Sequence, residues 1–473
     1  MVFSSLIFTF IFLPIALITY YFVKKEYRNY ILLIASLIFY AYGEPRFVFI
    51  MLLSIVVNYI IAIIIEKSDE LQVRKCFLIT GVVLNLMILY FFKYFDFTIK
   101  VINKILNRQY TLWGIALPIG ISFFTFQALS YVIDVYRKEV KAQKNIFYLA
   151  LYIALFPQLI AGPIVRYSTI EEQIVGRTVS FEDFSVGARR FVYGFCKKVL
   201  LANNLAIVAE NGFGLDEVSG ANSLYLWLAA ICFSLQIYYD FSGYSDMAIG
   251  LGRMFGFHFD ENFNYPYMSR SVTEFWRRWH ISLGTWFRDY VYIPLGGSRV
   301  GPFHHFINIF VVWLLTGIWH GANFTFIAWG LWYFLLLVLE KYIVKPEKRS
   351  SIWLRNIWRV ITLLCVIFGW VLFNSDGVGI GVQYCLAMLG ITGDGFHLDA
   401  YLLSSLREYG FFVFAGIVFA APIADILQKK IMGKRILQSV YAVLEPILSM
   451  LLFLWAISFL VLGAHNPFIY FNF

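Results

Sequence analysis

The chain has 473 residues, of which 60% are hydrophobic and only 14% are charged. About a quarter of the residues in soluble globular proteins are charged, so this composition excludes an ordinary soluble fold. The formal net charge is +9, but the lysines and arginines lie in short loops between apolar runs, where the positive-inside bias of membrane proteins explains them. We therefore expect no nucleic-acid binding.

Apolar runs long enough to cross a bilayer recur along the whole chain, since a spanning helix needs about 20 residues. The first run, Ser4–Val23, has no basic start and no cleavage site of a signal peptide, so we expect a retained helix. The other predicted spans are Asn29–Tyr42, Phe47–Ile65, Cys76–Phe95, Ile115–Val135, Ile146–Val165, Leu224–Phe241, Phe303–Trp319, Phe324–Tyr342, Ile357–Phe373, Phe411–Leu427 and Tyr441–Leu462.

One further run, Phe191–Ala209, contains Lys197 and Lys198, which predicts an interfacial or partly inserted helix. Together the runs predict an all-α polytopic membrane protein with about 11–13 membrane-inserted helices. No segment has the composition of a soluble domain, so we expect residues 1–473 to form a single integral-membrane domain.

The basic loops indicate an orientation. Glu66–Lys75, Lys341–Arg355 and Gln428–Arg435 are short and basic, and are therefore predicted to be cytoplasmic. The segment Asn374–Tyr409 has a single arginine and no lysine, and the tail of residues 464–473 has neither. Both are predicted to lie outside the cytoplasm.

Polar residues concentrate between residues 236 and 323. Asp240 and Asp246 lie within an otherwise apolar helical run. Ionisable groups at membrane depth are expensive and usually face a cavity or a partner. This favours a supporting role for Asp240 in a polar centre; the alternative is that both aspartates mark a helix end at the membrane interface.

The segment Glu274–Asp289 has helical spacing. If it is one helix, Arg277, His280 and Arg288 share a face. Arginine matches phosphate oxygens in a bidentate manner, so this face predicts a site for an anionic ligand. The alternative is a pair of arginines that extend to the cytoplasmic interface beside a packed histidine.

His320 follows an apolar span directly. On a continuous helix, Thr316, His320 and Asn323 lie on one face, where a hydroxyl and an amide can orient the imidazole. A histidine is the natural general base at neutral pH. A structural histidine or a proton relay is the alternative.

The sequence contains no motif of a competing chemistry. It has no phosphate-binding Gly-Lys loop, no dinucleotide fingerprint, no His-Glu-x-x-His and no Gly-x-Ser-x-Gly. The five cysteines have no metal-ligand spacing. We expect no metal and no permanently bound cofactor, so reactivity must arrive with an activated donor substrate.

Five segments together resemble the membrane-bound O-acyltransferase family, in its bacterial branch for alginate O-acetylation. They are Phe156–Pro163, Tyr239–Asp246, Glu274–His280, Tyr292–Gly297 and Trp319–Gly321. The resemblance implies a ring of tilted helices around a central funnel, with His320 as the catalytic histidine and His280 as the second histidine of this branch.

The resemblance also implies the reaction. An acetyl group is expected to pass from cytoplasmic acetyl-CoA across the lipid membrane to an extracytoplasmic glycan or cell-wall polymer, with an SGNH-type acetyltransferase or esterase as partner. Arg277 and Arg288 are expected to bind the coenzyme phosphates. A protonated His280 is expected to stabilise negative charge on the thioester oxygen.

The aromatic tail Asn466–Phe473 resembles the Phe-x-Tyr-x-x-Phe ending of a small protein of teichoic-acid D-alanylation, whose tyrosine is thought to accept the acyl group. The pattern falls on Phe468, Tyr470 and Phe473, so Tyr470 is a candidate acyl carrier. The alternative is an aromatic anchor at the membrane interface.

Two other functions remain open at this point. The first is D-alanyl transfer to teichoic acids, although proteins of that branch are typically shorter and use a separate tail peptide. The second is a polysaccharide flippase or proton-coupled transporter in which His320 relays protons. Transporters often have matching inverted halves, which this sequence lacks.

Overall fold

A computed structural model describes residues 1–160, 162–345, 352–467 and 469. Within these ranges the regular structure is helical and contains no strand. This confirms the predicted all-α class.

Nine helices in the described ranges are long and apolar enough to cross a membrane, and Phe8–Phe22 and Val378–Met388 are shorter apolar helices. The nine are Val48–Lys67, Leu71–Lys93, Phe181–Phe213, Ser223–Met254, Pro302–His320, Phe324–Val344, Trp353–Asn374, Ala400–Phe419 and Ile436–Val461. The chain is therefore a multi-pass membrane protein. The helix Phe181–Phe213 is long and apolar enough to cross a membrane, which favours a span over the predicted interfacial or partly inserted helix at Phe191–Ala209.

The chain forms two compact units. The first contains Met1–Phe191 and Tyr244–Asp260, and the second contains Val192–Gly243 and Glu261–Phe473. Two helices, Phe181–Cys196 and Ser223–Met254, each contribute to both units. The single domain and the ring around a funnel stay predictions.

The helices that begin in the first unit are α1 Leu13–Phe22, α2 Arg28–Gly43, α3 Val48–Lys67, α4 Leu71–Lys93, α5 Phe95–Leu106, α6 Ile121–Arg137, α7 Ile146–Ala154, α8 Phe156–Leu159, α9 Tyr167–Gly176 and α10 Phe181–Cys196. Those that begin in the second are α11 Asn203–Phe213, α12 Ser223–Met254, α13 Val272–Arg278, α14 Ile281–Phe287, α15 Pro302–His320, α16 Phe324–Val338, α17 Ile352–Asn374, α18 Val378–Met388, α19 Ala400–Phe419, α20 Ile423–Met432 and α21 Arg435–Val461.

Stretches of π-helix extend four of these helices, at Phe8–Phe12, Lys197–Ala202, Arg288–Tyr292 and Leu339–Val344. Such bulges are rare in proteins, and those that occur often lie at functional sites.

The first unit is held by aromatic packing. Phe156 makes edge contacts with Phe8 and Phe12, and its backbone N–H donates to the hydroxyl of Ser36 at 3.1 Å. Because aromatic edge contacts add to the burial of a large apolar side chain, the family motif that begins at Phe156 is a packing element of this unit.

Glycines allow helices to approach closely in both units. In the first unit, a Cβ at Gly187 or Gly250 would lie 2.6 Å from the carbonyl oxygen of the other residue. In the second unit, a Cβ at Gly317 would lie 2.5 Å from the carbonyl oxygen of Phe326, and one at Gly330 would lie 2.5 Å from that of Trp313. Small residues at such crossings are typical of membrane helices, and the second pair packs α15 against α16.

Several predicted boundaries differ from the structure, and three of the differences break or shorten a predicted span. The span Ile146–Val165 is broken after Ala154, where the short helix Phe156–Leu159 follows. The span Ile115–Val135 begins only at Ile121, and the span predicted at residues 411–427 ends at Phe419. Proline is the physical reason at two of them, since Pro118 and Pro422 lack the N–H that a helix interior requires.

Candidate functional site

His280 lies at a break between α13 and α14 in the second unit. Its backbone is left-handed, with φ 44° and ψ 54°, which is uncommon for a residue other than glycine. The break is held by a loop: the N–H of Ile281 donates to the carbonyl of Asn262 at 3.0 Å, and the N–H of Asn264 donates to that of Arg278 at 2.9 Å. The continuous helix over Glu274–Asp289 is therefore wrong.

The side chain of Asn262 orients the imidazole of His280. Its Oδ1 lies 3.2 Å from Nδ1 of His280, and accepts from the N–H and the hydroxyl of Ser282 at 3.1 and 2.9 Å. A backbone N–H can only donate, so this atom of Asn262 is the oxygen, and Nδ1 of His280 carries the hydrogen. Nε2 of the neutral ring then has the lone pair, and it is buried with no hydrogen-bond partner among the described residues.

The surroundings of His280 favour this neutral form. Burial lowers the pKa of His280 well below its ordinary value, and His320 lowers it further. The ring stands edge-on to Phe241, with centroids 4.5 Å apart. These surroundings argue against the expectation of a protonated His280, because an apolar site disfavours the charged form.

A cavity of about 450 Å³ lies beside this break, within the usual range for small-molecule sites. Its lining includes Arg277, His280, Gly284, Arg288 and Thr316. The broken backbone thus still brings together the residues that helical spacing had grouped. Trp276 also lines the cavity, and its buried indole N–H has no hydrogen-bond partner in the described part of the chain.

The two arginines of the lining differ. Arg288 begins a π-helical turn, and its guanidinium donates to both carboxylate oxygens of Asp289, at 2.6 and 3.1 Å. This neighbour already balances much of its charge. Arg277 lies in the last turn of α13, is exposed and lines the cavity, so we expect it to contribute more to binding an anion.

His320 is the last residue of α15 and lies in an aromatic box. Its ring stands edge-on to Trp329 and Phe373, with centroids 4.9 and 5.3 Å apart, and its side chain is buried. Trp319 lies between the two histidines, with its centroid 5.1 Å from that of His320 and 6.1 Å from that of His280. His320 does not belong to the lining of the cavity, whereas Thr316, one turn earlier on the same helix, does.

Gly321 is required by packing at this point. A Cβ there would lie 2.2 Å from the ring of Phe326, closer than atoms can pack. The glycine after His320 therefore lets α16 pack directly against the catalytic candidate.

The predicted shared face of Thr316, His320 and Asn323 is only half correct. Thr316 lines the cavity, and its hydroxyl donates to the carbonyl of Val312 at 2.7 Å. Asn323 lies beyond the end of α15, where its side chain caps α16 by accepting from the N–H of Thr325 at 3.2 Å. Because the helix ends at His320, the supporting role predicted for Asn323 on this face is wrong.

Asp240 forms a buried ion pair that the sequence analysis did not identify. Its Oδ1 lies 2.6 Å from Nζ of Lys198, and the two side chains are 2% and 1% exposed. Asp240 Oδ2 also accepts from the N–H of Ile469 at 2.9 Å. The only signal in the sequence was a lysine within an apolar run. Tyr470, Phe468 and Phe473 lie outside the described residues.

Among the residues that the structure describes, no group of three or more His, Cys, Asp or Glu side chains has the arrangement of a metal site. The cysteines are free thiols, and Cys232 is buried. The polar chemistry of the second unit therefore rests on imidazole, guanidinium, indole and hydroxyl groups.

Comparison with known proteins agrees with the residues of this site. The sequence profile of the membrane-bound O-acyltransferase family matches residues 34–375, which include both His280 and His320. The chain belongs to the membrane-bound O-acyltransferase family. It is thus a membrane-bound O-acyltransferase by family, which argues against the transporter alternative.

This acyltransferase is similar to enzymes of three kinds. The probable alginate O-acetylase of Pseudomonas aeruginosa is 45% identical over 394 residues, covering 82% of this chain and 75% of the relative. The peptidoglycan O-acetyltransferase of Helicobacter pylori is 33% identical over 427 residues, covering 83% and 80%. The teichoic acid D-alanyltransferase of Bacillus subtilis is 29% identical over 272 residues, covering 54% and 67%.

Proposed function

We propose that this acyltransferase moves an acetyl group from cytoplasmic acetyl-CoA across the cell membrane and O-acetylates an extracytoplasmic polysaccharide or cell-wall polymer. The observation that carries the proposal is the cavity that Arg277, His280 and Thr316 line, with His320 one helical turn beyond Thr316. It combines a cationic edge with a histidine-containing floor, which are the two features that a phosphate-bearing thioester donor requires.

The relatives favour acetyl as the acyl group. The match to the alginate O-acetylase is closer and longer than the match to the D-alanyltransferase, at 45% identity over 82% of this chain against 29% over 54%. D-alanyl transfer from a carrier protein is the competing donor chemistry, and donor preference distinguishes the two.

The cavity supplies complementary groups for acetyl-CoA, which is a substrate and not a resident cofactor. Arg277 and the partly neutralised Arg288 meet its phosphates through charge-assisted hydrogen bonds. The indole N–H of Trp276 is a donor without a described protein partner, and Nε2 of His280 is an acceptor without one. We assign the indole to the thioester carbonyl oxygen and the neutral imidazole to an N–H or O–H donor of the substrate.

His320 acts as the general base. It removes the proton of the attacking hydroxyl while that oxygen bonds to the thioester carbonyl carbon; the carbon–sulfur bond then breaks, and the coenzyme thiolate takes up the proton. A positioned base typically contributes about 10²–10⁴-fold to the rate.

Tyr470 is the proposed first acceptor of the acetyl group. A phenol has a pKa of about 10, so it needs a base at neutral pH, and its ester has a good leaving group for onward transfer. The preceding residue, Ile469, is buried in the same core cluster as Trp279 and Trp329, which supports a tail that folds back into the second unit.

This proposal places the enzyme in the bacterial cell membrane with its C-terminus outside the cytoplasm. The donor is made in the cytoplasm and the glycan lies outside, so the acetyl group must cross. An SGNH-type acetyltransferase or esterase, anchored in the membrane or secreted, is the proposed partner that passes the group from Tyr470 to the glycan.

The test is to incubate the purified enzyme with labelled acetyl-CoA and to follow acetyl esters on the tail peptide and on the glycan. We expect an acetyl adduct on Tyr470 in the wild type and none in Tyr470→Phe, which keeps the apolar surface. His320→Ala should lose about 10²–10⁴-fold in rate. Its matched control is His304→Ala, since His304 is an exposed histidine of the same helix.

Two results would contradict the proposal. Normal glycan acetylation by Tyr470→Phe would make the tail an interfacial anchor. Activity of His320→Ala within threefold of the wild type, at normal expression, would remove His320 from the chemistry.

A further inference from the structure

The ion pair of Lys198 and Asp240 is buried in the second unit, with 2.6 Å between Nζ and Oδ1 and side-chain exposures of 1% and 2%. Lys198 lies in the π-helical stretch Lys197–Ala202, and Asp240 lies in the middle of α12. A buried ion pair is often no more stabilising than an apolar pair of similar volume, because both charges lose their hydration. Its presence therefore points to another role.

Both charges also bind the main chain of the C-terminal tail. The Lys198 ammonium donates to the carbonyl of Pro467, and Asp240 Oδ2 accepts from the N–H of Ile469 at 2.9 Å. The pair thus presents a donor and an acceptor to a carbonyl and an amide two residues apart. Since these are backbone groups, the contact fixes the register of the tail.

Two side-chain contacts hold the tail further along the helix that carries Lys198. The amide of Asn203 donates to that of Asn466 at 3.1 Å, and Glu210 lies 3.0 Å from the imidazole of His465. The tail therefore runs antiparallel to the helix, from Glu210 towards Lys198.

The dimensions agree with this path. Lys198 and Glu210 are twelve residues apart on the helix, roughly 18 Å. The tail residues that contact them, Pro467 and His465, are two residues apart, at most about 7 Å of chain, and the long side chains of Lys198, Glu210 and His465 span the difference. At the end of the path, Ile469 is 5% exposed.

We infer that Lys198 and Asp240 form a tail clamp, a buried pair that holds the main chain at Pro467 and at Ile469 and so orders the segment that carries the proposed acceptor, Tyr470, for delivery. Both are positioning residues and take no part in bond making. The delivery rests on the proposed function, but the clamp itself does not, because it is defined by contacts of Pro467 and Ile469.

The test needs variants that remove the clamp without leaving an isolated charge. A single substitution leaves a buried ion without its partner, which destabilises the fold strongly. The double variant Lys198→Met/Asp240→Leu replaces both charges with apolar groups of similar size. Its matched control is Arg190→Met/Asp246→Leu, which removes an ion pair of 2.9 Å between the same two helices in the first unit.

The measurement is amide hydrogen exchange of the full-length enzyme in detergent, followed by mass spectrometry of the peptide that covers residues 464–473. A hydrogen bond to a charged group typically contributes about 1.5–3 kcal/mol, so we expect exchange roughly 10- to 100-fold faster in the clamp variant. The control should exchange like the wild type. Unchanged exchange in the clamp variant would overturn the clamp.

A second pair of variants keeps the helices intact. Ile469→Pro deletes the amide hydrogen that Asp240 accepts, whereas Ile469→Val keeps it. Faster exchange of the tail in Ile469→Pro, with wild-type exchange in Ile469→Val, supports the clamp even if the double variant does not fold. Equal exchange in both would overturn it.

Activity separates positioning from a purely structural role. We expect the clamp variant to bind acetyl-CoA with an unchanged Kd, while its glycan acetylation falls about tenfold or more, in line with the loss of tail order. Faster exchange with normal acetylation would overturn the delivery role. Failure of the acyl-tyrosine proposal is recognised separately, because it appears in Tyr470→Phe and leaves the exchange result unaffected.

Discussion

In Asn262→Asp, the amide that orients His280 becomes a carboxylate of nearly the same shape. The three contacts that Oδ1 accepts, from Nδ1 of His280 and from the N–H and hydroxyl of Ser282, span 2.9–3.2 Å and are all retained by an acceptor. The substitution therefore adds a charge beside the imidazole while an oxygen can still accept all three of these contacts.

The size of the effect follows from the distance. Opposite unit charges about 4 Å apart interact by about 4 kcal/mol at an effective dielectric constant of about 20. The desolvation of a buried carboxylate opposes this attraction. Even half of the energy shifts the protonation equilibrium of His280 by more than about tenfold towards the imidazolium form. Nε2 then becomes a donor and loses the lone pair that the substrate uses.

We expect Asn262→Asp to lower the turnover progressively as the pH falls, because the ratio of charged to neutral His280 rises by more than about tenfold at each pH. The carboxylate raises the pKa of His280, so the neutral ring returns as the pH rises, and activity should recover towards high pH. The wild type should be flat there, because burial lowers the pKa of its His280 well below the ordinary value.

The assay is consumption of labelled acetyl-CoA by purified enzyme between about pH 6 and pH 9. Asn264→Asp is the control, since Asn264 is exposed and lies in the same loop. A wild-type rate and pH profile in Asn262→Asp, with the protein folded, would refute the requirement for a neutral His280.

Two further predictions concern the cavity and the packing behind it. Arg277→Met should raise the Kd for coenzyme A by about 10- to 100-fold in calorimetry, and Arg288→Met should raise it by less because Asp289 already binds its guanidinium. The control is Arg278→Met, which removes a salt bridge to Glu274. An unchanged Kd in Arg277→Met would favour the alternative in which the arginines extend to the membrane interface. Gly321→Ala should lower the free energy of unfolding by about 1–3 kcal/mol and reduce activity, because its Cβ would meet the ring of Phe326. Gly301→Ala, in open space at the start of the same helix, should change neither quantity, and equal stability of both variants would contradict the packing argument.

The membrane class, the helical architecture and the two histidines were predictable from the sequence. Apolar runs report on spanning helices because a bilayer demands about 20 consecutive apolar residues, whatever the tertiary arrangement. The motifs around His280 and His320 are local, so they are visible before any folding. Although the predicted helix is broken at His280, Arg277, His280 and Arg288 still line one cavity, because both short helices keep part of the helical spacing.

Tertiary structure alone decided the remaining features. The break at His280 depends on hydrogen bonds that Asn262 accepts, and the tautomer follows from the side-chain contact rather than from local sequence. Lys198, Asp240 and the tail are far apart along the chain and meet only through helix packing. Periodicity cannot report such contacts, because it describes which face of one helix a residue occupies and not which distant residue satisfies its charge.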